Sequence, residues 1–307
     1  MPVRKVALVM VATFLSSIVL TSCSSQASVK EVTISQDDVS SLTIPTTAEA
    51  QKKRVVALAN GSAEIIAALG YQKLIVGRDI ASTEKAFDQI PIVASGHQII
   101  PEKVIALRPD LVLIDASSGP ARAIEAIRAS GIAVVTIREA WTLADIAGKV
   151  SDIATALGVS AAGDLFNAEM QRALSDVQRS TSARIAFLYL RGTNSIYLMG
   201  GPGSGADSLI AAVGSRDVGA ENLKNPFTAL TAEELVKANP EIILVMTNGL
   251  KSVGGVNGLF TLPGVAQTDA GKEKRVIDVD DSLLLSFGPR TPDLLRALAQ
   301  AIAEVQK

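Results

Sequence analysis

Along this chain, short apolar runs alternate with longer stretches in which apolar residues recur every three or four positions. Arg54-Val55-Val56-Ala57-Leu58 is of strand length, whereas Ser62 to Leu69 has helical spacing and is closed by Gly70. Leu74 to Gly77 and Pro91 to Ala94 predict further strands. Pro101 stands at the favoured first position of a helix running to Leu107. Leu111-Val112-Leu113-Ile114-Asp115 and Ala133-Val134-Val135-Thr136-Ile137 are runs of buried-strand type. Apolar strands separated by helices predict a parallel sheet covered on both faces.

The rhythm then breaks. Thr142 caps a predicted helical stretch from Leu143 to Leu157, and after Gly158 a second segment runs from Ala161 to Arg179, with no strand pattern between them. Alternation restarts at Arg184-Ile185-Ala186-Phe187-Leu188-Tyr189. The expected fold is α/β: two Rossmann-like lobes with parallel sheets, joined by a long backbone helix, with a ligand cleft between the lobes. The predicted boundaries are an N-terminal lobe at 54–140, an interlobe helix at 141–180 and a C-terminal lobe at 181–307. A helical connection suits a cleft that flexes only slightly.

The two lobes share a segment. Pro101-Glu102-Lys103-Val104-Ile105-Ala106-Leu107-Arg108-Pro109-Asp110 leads into one strand, and Ala232-Glu233-Glu234-Leu235-Val236-Lys237-Ala238-Asn239-Pro240-Glu241 into another. In both, a glutamate precedes a helix-ending proline by seven residues (109 − 102 and 240 − 233), and an acid follows that proline. Glu102 and Glu233 either complement the dipoles of their helices or act as a matched pair, one on each lobe.

The start of the chain reads as a processing signal. Arg4 and Lys5 precede an apolar run from Val6 to Leu20, which is shorter than the ~20 residues of a stable membrane span. It ends in Leu20-Thr21-Ser22-Cys23, which resembles the lipobox of bacterial lipoproteins. Cys23 is the only cysteine, so it has no disulfide partner within the chain. Residues 1–22 are therefore expected to be a lipoprotein signal peptide. Cys23 is the expected lipidation site, and 23–53, rich in Ser, Thr, Gln and charge, a flexible tether. The mature protein is expected outside the cytoplasm, anchored by lipid to the outer face of the cell membrane.

Composition narrows the chemistry. The net charge is −2, and no basic stripe suggests nucleic acid. His97, in Ala94-Ser95-Gly96-His97-Gln98, is the only histidine, which rules out a metal cage built on several imidazoles. It is either a surface or structural residue or one axial ligand of a haem iron. Tyr189 and Arg191 lie two apart at the end of a predicted strand, so their side chains leave the same face. Strand ends of this kind open onto a binding crevice. A guanidinium beside a phenol favours the phenolate, a hard oxygen donor for ferric iron. Tyr189 is otherwise a core aromatic. Tyr197 is a rival ligand but lacks an arginine two residues on. Phe227 and Phe287 could flank a flat apolar ligand, and Arg78 and Arg290 could meet its carboxylates, or all four could serve packing and surface. The glycine-rich stretch from Gly200 to Gly205 has Ala206 where a dinucleotide fingerprint needs glycine. It is read as opening a helix from Asp207 to Val213 and letting backbone approach the cleft. No nucleophile elbow, metal cluster or paired-carboxylate site is present in the sequence, so no catalytic residue is assigned.

Taken together, the lipobox, the two lobes and the repeated segment resemble the helical-backbone (class III) substrate-binding proteins of ABC importers, over roughly residues 54–307. That group carries haem, ferric siderophores and cobalamin. Tyr189-Leu190-Arg191-Gly192 and the position of His97 resemble the haemin-binding lipoprotein branch, and Arg54 to Leu58, Gly201 to Ile210 and Phe287-Gly288-Pro289-Arg290 also resemble family segments. The resemblance implies haem as the transported ligand, His97 and Tyr189 as axial ligands of its iron, and Arg191 hydrogen-bonding the phenolate. It further implies that Glu102 and Glu233 pair with arginines of the permease, with haem-capture proteins of the cell surface as upstream partners. A ferric siderophore or cobalamin is the alternative cargo. An extracytoplasmic α/β enzyme is the alternative class.

Overall fold

The structure is a computed structural model describing residues 1, 29–45, 48–95, 98–179, 182–192 and 195–307. Numbered along the chain, its strands begin with β1 (Lys30–Ile34), β2 (Val55–Ala57), β3 (Ile75–Asp79), β4 (Ile92–Ser95), β5 (Gln98–Ile99), β6 (Leu111–Ile114) and β7 (Ala133–Thr136). They continue with β8 (Arg184–Arg191), β9 (Ile196–Gly200), β10 (Arg216–Asp217), β11 (Phe227–Ala229), β12 (Ile242–Met246) and β13 (Arg275–Val279).

In the N-terminal lobe the order is β5-β4-β3-β2-β6-β7, parallel except for the short antiparallel β5. In the C-terminal lobe the order is β1-β13-β12-β8-β9-β11, with β10 beside β8. Here β1, β13, β12 and β8 are parallel, whereas β9 and β11 form an antiparallel flank. Every residue of β6 and β12 is buried, as expected of strands covered on both faces by helices.

The interlobe segment is two helices rather than one rod. Asp145–Leu157 ends at Gly158, which takes the left-handed conformation (φ 75°), and Ser160–Ser175 follows. The second helix folds back on the first so closely that a Cβ on Gly163 would fall 2.6 Å from that of Ala154. These helices complete one continuous core. Val55 and Leu113 of the first lobe, Val150 and Phe166 of the helices, and Phe187 and Leu298 of the second lobe belong to the same buried cluster.

Part of the expected tether is built into the fold. β1 adds a parallel edge strand to the C-terminal sheet, pairing Lys30 through Ile34 with Arg275 through Val279. The chain then crosses to the N-terminal lobe, burying Ile34, Val39, Ile44 and Ala50 on the way. These apolar residues are too widely spaced to register as a periodic element, so composition masked them. The expected signal peptide and Cys23 lie outside the described residues.

The repeated segment recurs as structure. Pro101–Ala106 and Ala232–Ala238 are both short helices with their glutamate in the first turn. The residue before each proline, Arg108 and Asn239, adopts positive φ (47° and 41°).

Candidate functional site

The carboxyl ends of several parallel strands face one another across the gap between the lobes. Asn60 and Gly61 follow β2, Ile80 to Glu84 follow β3, Asn248 follows β12, and Asp280 to Ser282 follow β13. Together with Trp141, Tyr189, Arg191, Leu198, Phe227, Met246, Leu285 and Ser286 they line a cavity of about 700 Å³. That size falls in the range of small-molecule and cofactor sites, roughly 300–1,000 Å³. Gln36 of the N-terminal crossing completes the rim. Its amide nitrogen donates to Thr83 of one lobe (2.7 Å) and to Asp280 and Ser282 of the other (3.2 Å each).

The pleat of β8 decides which aromatic enters the cavity. Tyr189 lies opposite Leu198 and Arg191 opposite Ile196, while Leu190 lies opposite Tyr197. Alternation therefore turns Tyr189 and Leu198 to the cavity and Leu190 and Tyr197 to the other face. Tyr197 packs there against the second core cluster of the C-terminal lobe, which removes it as a rival to Tyr189. The Tyr189 ring stands edge-on to Phe227, with centroids 5.7 Å apart. Phe227 is in turn braced edge-on by Phe187 at 6.4 Å.

Arg191 adopts a different pose from the expected bond to the phenolate. Its guanidinium carbon lies 4.6 Å from the centroid of the Tyr189 ring, over the ring face. One Nη donates to the Leu190 carbonyl (2.9 Å) and the other to Asp281 Oδ2 (3.2 Å).

Three expected contacts fall elsewhere. Arg78 is buried beneath the loop after β3, where Nε donates to the carbonyls of Phe87 and Ile90 and Nη1 to that of Ser82 (2.9–3.1 Å). It thus braces the loop that lines the cavity and is not itself among the lining residues. Arg290, 5% exposed, pairs with Glu64 (2.7 Å) and Glu84 (2.6 Å) across the lobes. Phe287 is 1% exposed and packs in the core beside Gly205 rather than flanking the cavity. The glycine-rich loop makes its close approaches to the backbone at Gly219 and Asn225, not to the cavity.

The cavity floor is a buried ionic cluster that pins the lobes. Besides the Arg290 pairs, Lys149 of the interlobe helix donates to the Ser286 carbonyl (2.7 Å) and Asn60 to the Leu285 carbonyl (3.0 Å). Burial pushes the Lys149 ammonium down to about 8. Burial and then the neighbouring Glu64 push the Glu84 carboxyl up to about 7, against the pull of Arg290. Glu84 Oε2 makes no hydrogen bond among the described residues. Among the described lining residues the only cationic side chain is Arg191, already paired with Asp281, and the acids are Glu64, Glu84, Asp280 and Asp281.

His97 lies outside the described residues. Glu102 and Glu233 are exposed and stand apart from the cavity, each in the first turn of its helix. The sequence reading missed the residues that follow β2, β3, β12 and β13. Their signal was position alone, just beyond the ends of apolar runs.

The chain is similar to the periplasmic haem-binding protein RhuT from Roseiflexus sp. RS-1, solved in apo form. The two share 32% identity with a TM-score of 0.78, and the match covers 83% of this chain and 99% of that one. It is 26% identical over 324 residues to the ABC transporter substrate-binding lipoprotein YvrC of Bacillus subtilis (strain 168), covering 97% of this chain and 98% of the relative. It is also 23% identical over 205 residues to the vitamin B12-binding protein of Vibrio parahaemolyticus serotype O3:K6 (strain RIMD 2210633), covering 66% and 74%. These relatives are binding proteins rather than enzymes, and a substrate-binding lipoprotein works outside the cytoplasm. The family profile described as periplasmic binding protein matches residues 55–283, and the chain belongs to that family.

Proposed function

We propose that this protein captures ferric haem between its lobes and delivers it to the permease of an ABC importer. The observation that carries the reading is Tyr189, a phenol on the cavity wall with a guanidinium over its ring. A phenolate matches ferric iron in hardness. Ile80 and Trp141 on one side and Leu198, Phe227 and Met246 on the other offer apolar surfaces to a flat macrocycle. The similarity to RhuT supports haem over other cargo.

In this reading Tyr189 binds the iron from the C-terminal lobe, and His97, which lies in sequence between β4 and β5, binds it from the N-terminal lobe. A ferric porphyrin core is cationic and suits an acid-lined wall. Its two carboxylates would meet Glu64, Glu84, Asp280 and Asp281 if turned inward, so they face solvent. Glu102 and Glu233 meet arginines of the permease, and Cys23 carries the lipid anchor. The relative that binds vitamin B12 makes cobalamin the second reading, because corrinoid amides are donors that acidic walls accept.

Trp141, the only tryptophan, lines the cavity and reports directly on occupancy. Haemin should quench its fluorescence saturably while a Soret band develops, and haemin dimethyl ester should do so equally well. Saturable quenching by cyanocobalamin or a ferric siderophore, with no saturable haemin signal, would overturn the haem reading.

A further inference from the structure

Arg191 is a long side chain, about a third exposed, that depends on partners to hold one pose. Its own strand supplies one, the Leu190 carbonyl. The other comes from a distant part of the chain. Asp281 opens the short helix that follows β13, and its two oxygens divide their work. Oδ2 accepts from Arg191 (3.2 Å), and Oδ1 accepts from the backbone N–H of Asn248 (2.9 Å). The Asn248 bond ties Asp281 to the end of β12, so the carboxylate is fixed before it meets the arginine. Gly249 leaves no room for a side chain here, since a Cβ would stand 2.8 Å from the Leu190 carbonyl and 3.4 Å from Arg191 Nη1.

Building on the haem reading, we propose that Asp281 is a positioning residue: it holds the Arg191 guanidinium against Tyr189 and so sets the strength of the tyrosine–iron bond. Asp281 does not meet the iron. Its carboxylate removes the rotational freedom of Arg191 and partly balances its charge, so the phenolate has a cation held at a fixed place over its ring.

Because Asp281 acts through Arg191, its effect should vanish when Arg191 is absent. Haemin titrations of the wild type, Asp281→Ala, Asp281→Asn, Arg191→Ala and the double variant Arg191→Ala/Asp281→Ala test this. The readouts are the Soret maximum, the phenolate-to-iron charge-transfer band and the rate of haem loss to an excess of apomyoglobin. Asp281→Ala should move the charge-transfer band in the direction of Arg191→Ala and speed haem loss about three- to fivefold, the scale of a part-exposed ion pair. Asp281→Asn keeps one acceptor oxygen for only one of the two donors and removes the charge, so its spectrum and haem loss should lie between those of the wild type and Asp281→Ala. In the Arg191→Ala background, removing Asp281 should change nothing further. An unchanged band in Asp281→Ala, or an effect that persists without Arg191, would overturn the positioning role while leaving haem capture intact. A wild type with no saturable haemin signal would overturn both.

Discussion

At the scale of single residues, Glu84 shows how the cavity floor is balanced. Burial raises its folded-state value above the ordinary 4.5, to about 7. A raised acid contributes stability fully below its unfolded value and loses it as pH rises through the folded one, here between about pH 4.5 and 7. Glu84 should therefore account for a loss on the order of 2 kcal/mol between pH 4.5 and 7.5, so the loss in Glu84→Gln should be smaller than that of the wild type by about this amount. Urea midpoints across that range check this, and equal slopes in the two proteins would contradict it. Tyr189 and Arg191, which line the cavity, were legible from a strand's two-residue period and its carboxyl end, whereas Phe227, which also lines it, was legible only as an aromatic that could flank a flat ligand. Arg78, Arg290 and Phe287 were misplaced for a physical reason. A guanidinium is free or buried according to its partners: Glu64, which neutralises Arg290, is 226 residues away, and Arg78 is taken up by the carbonyls of the loop after its own strand.

Among the elements, β1 departs most from the sequence reading. Composition favoured a tether from 23 to 53, yet five backbone pairings to β13 and the burial of Ile34 hold residues 30–34 in the sheet. Edge strands are marginal in sequence because half their hydrogen bonds and one packing partner come from elsewhere. Ile34→Ala should cost about 2–4 kcal/mol by urea unfolding and expose the β1 amides to hydrogen exchange. Wild-type stability with fully protected amides would show that the strand contributes nothing. The parallel strands and the two helices broken at Gly158 were legible, since apolar runs and a glycine stop are local signals. The antiparallel turn of β9 and β11 was not. It depends on the hairpin partner of β8, which the expectation of a wholly parallel sheet overlooked.

For the whole molecule, one core runs through both lobes and the interlobe helices, and Arg290 and Lys149 lock the floor of the cavity across the gap. A continuous core of this kind favours a nearly constant separation of the lobes, and with it of the exposed Glu102 and Glu233. If they dock the permease, Glu102→Ala with Glu233→Ala should abolish haem uptake by cells while leaving haemin affinity unchanged. Unimpaired uptake would remove that role. The two-lobe architecture was legible because it repeats, whereas the chemistry of the cavity was only half legible because loops from four strand ends assemble it. The central claim, that Tyr189 binds ferric iron within this cavity, is tested most directly by titrating Tyr189→Phe with haemin beside the wild type. The phenylalanine variant keeps the ring against Phe227 but has no phenol oxygen. The account predicts that its phenolate-to-iron band is absent and that it releases haem at least tenfold faster, the scale of about 1.4 kcal/mol. A band and a release rate equal to those of the wild type would contradict it.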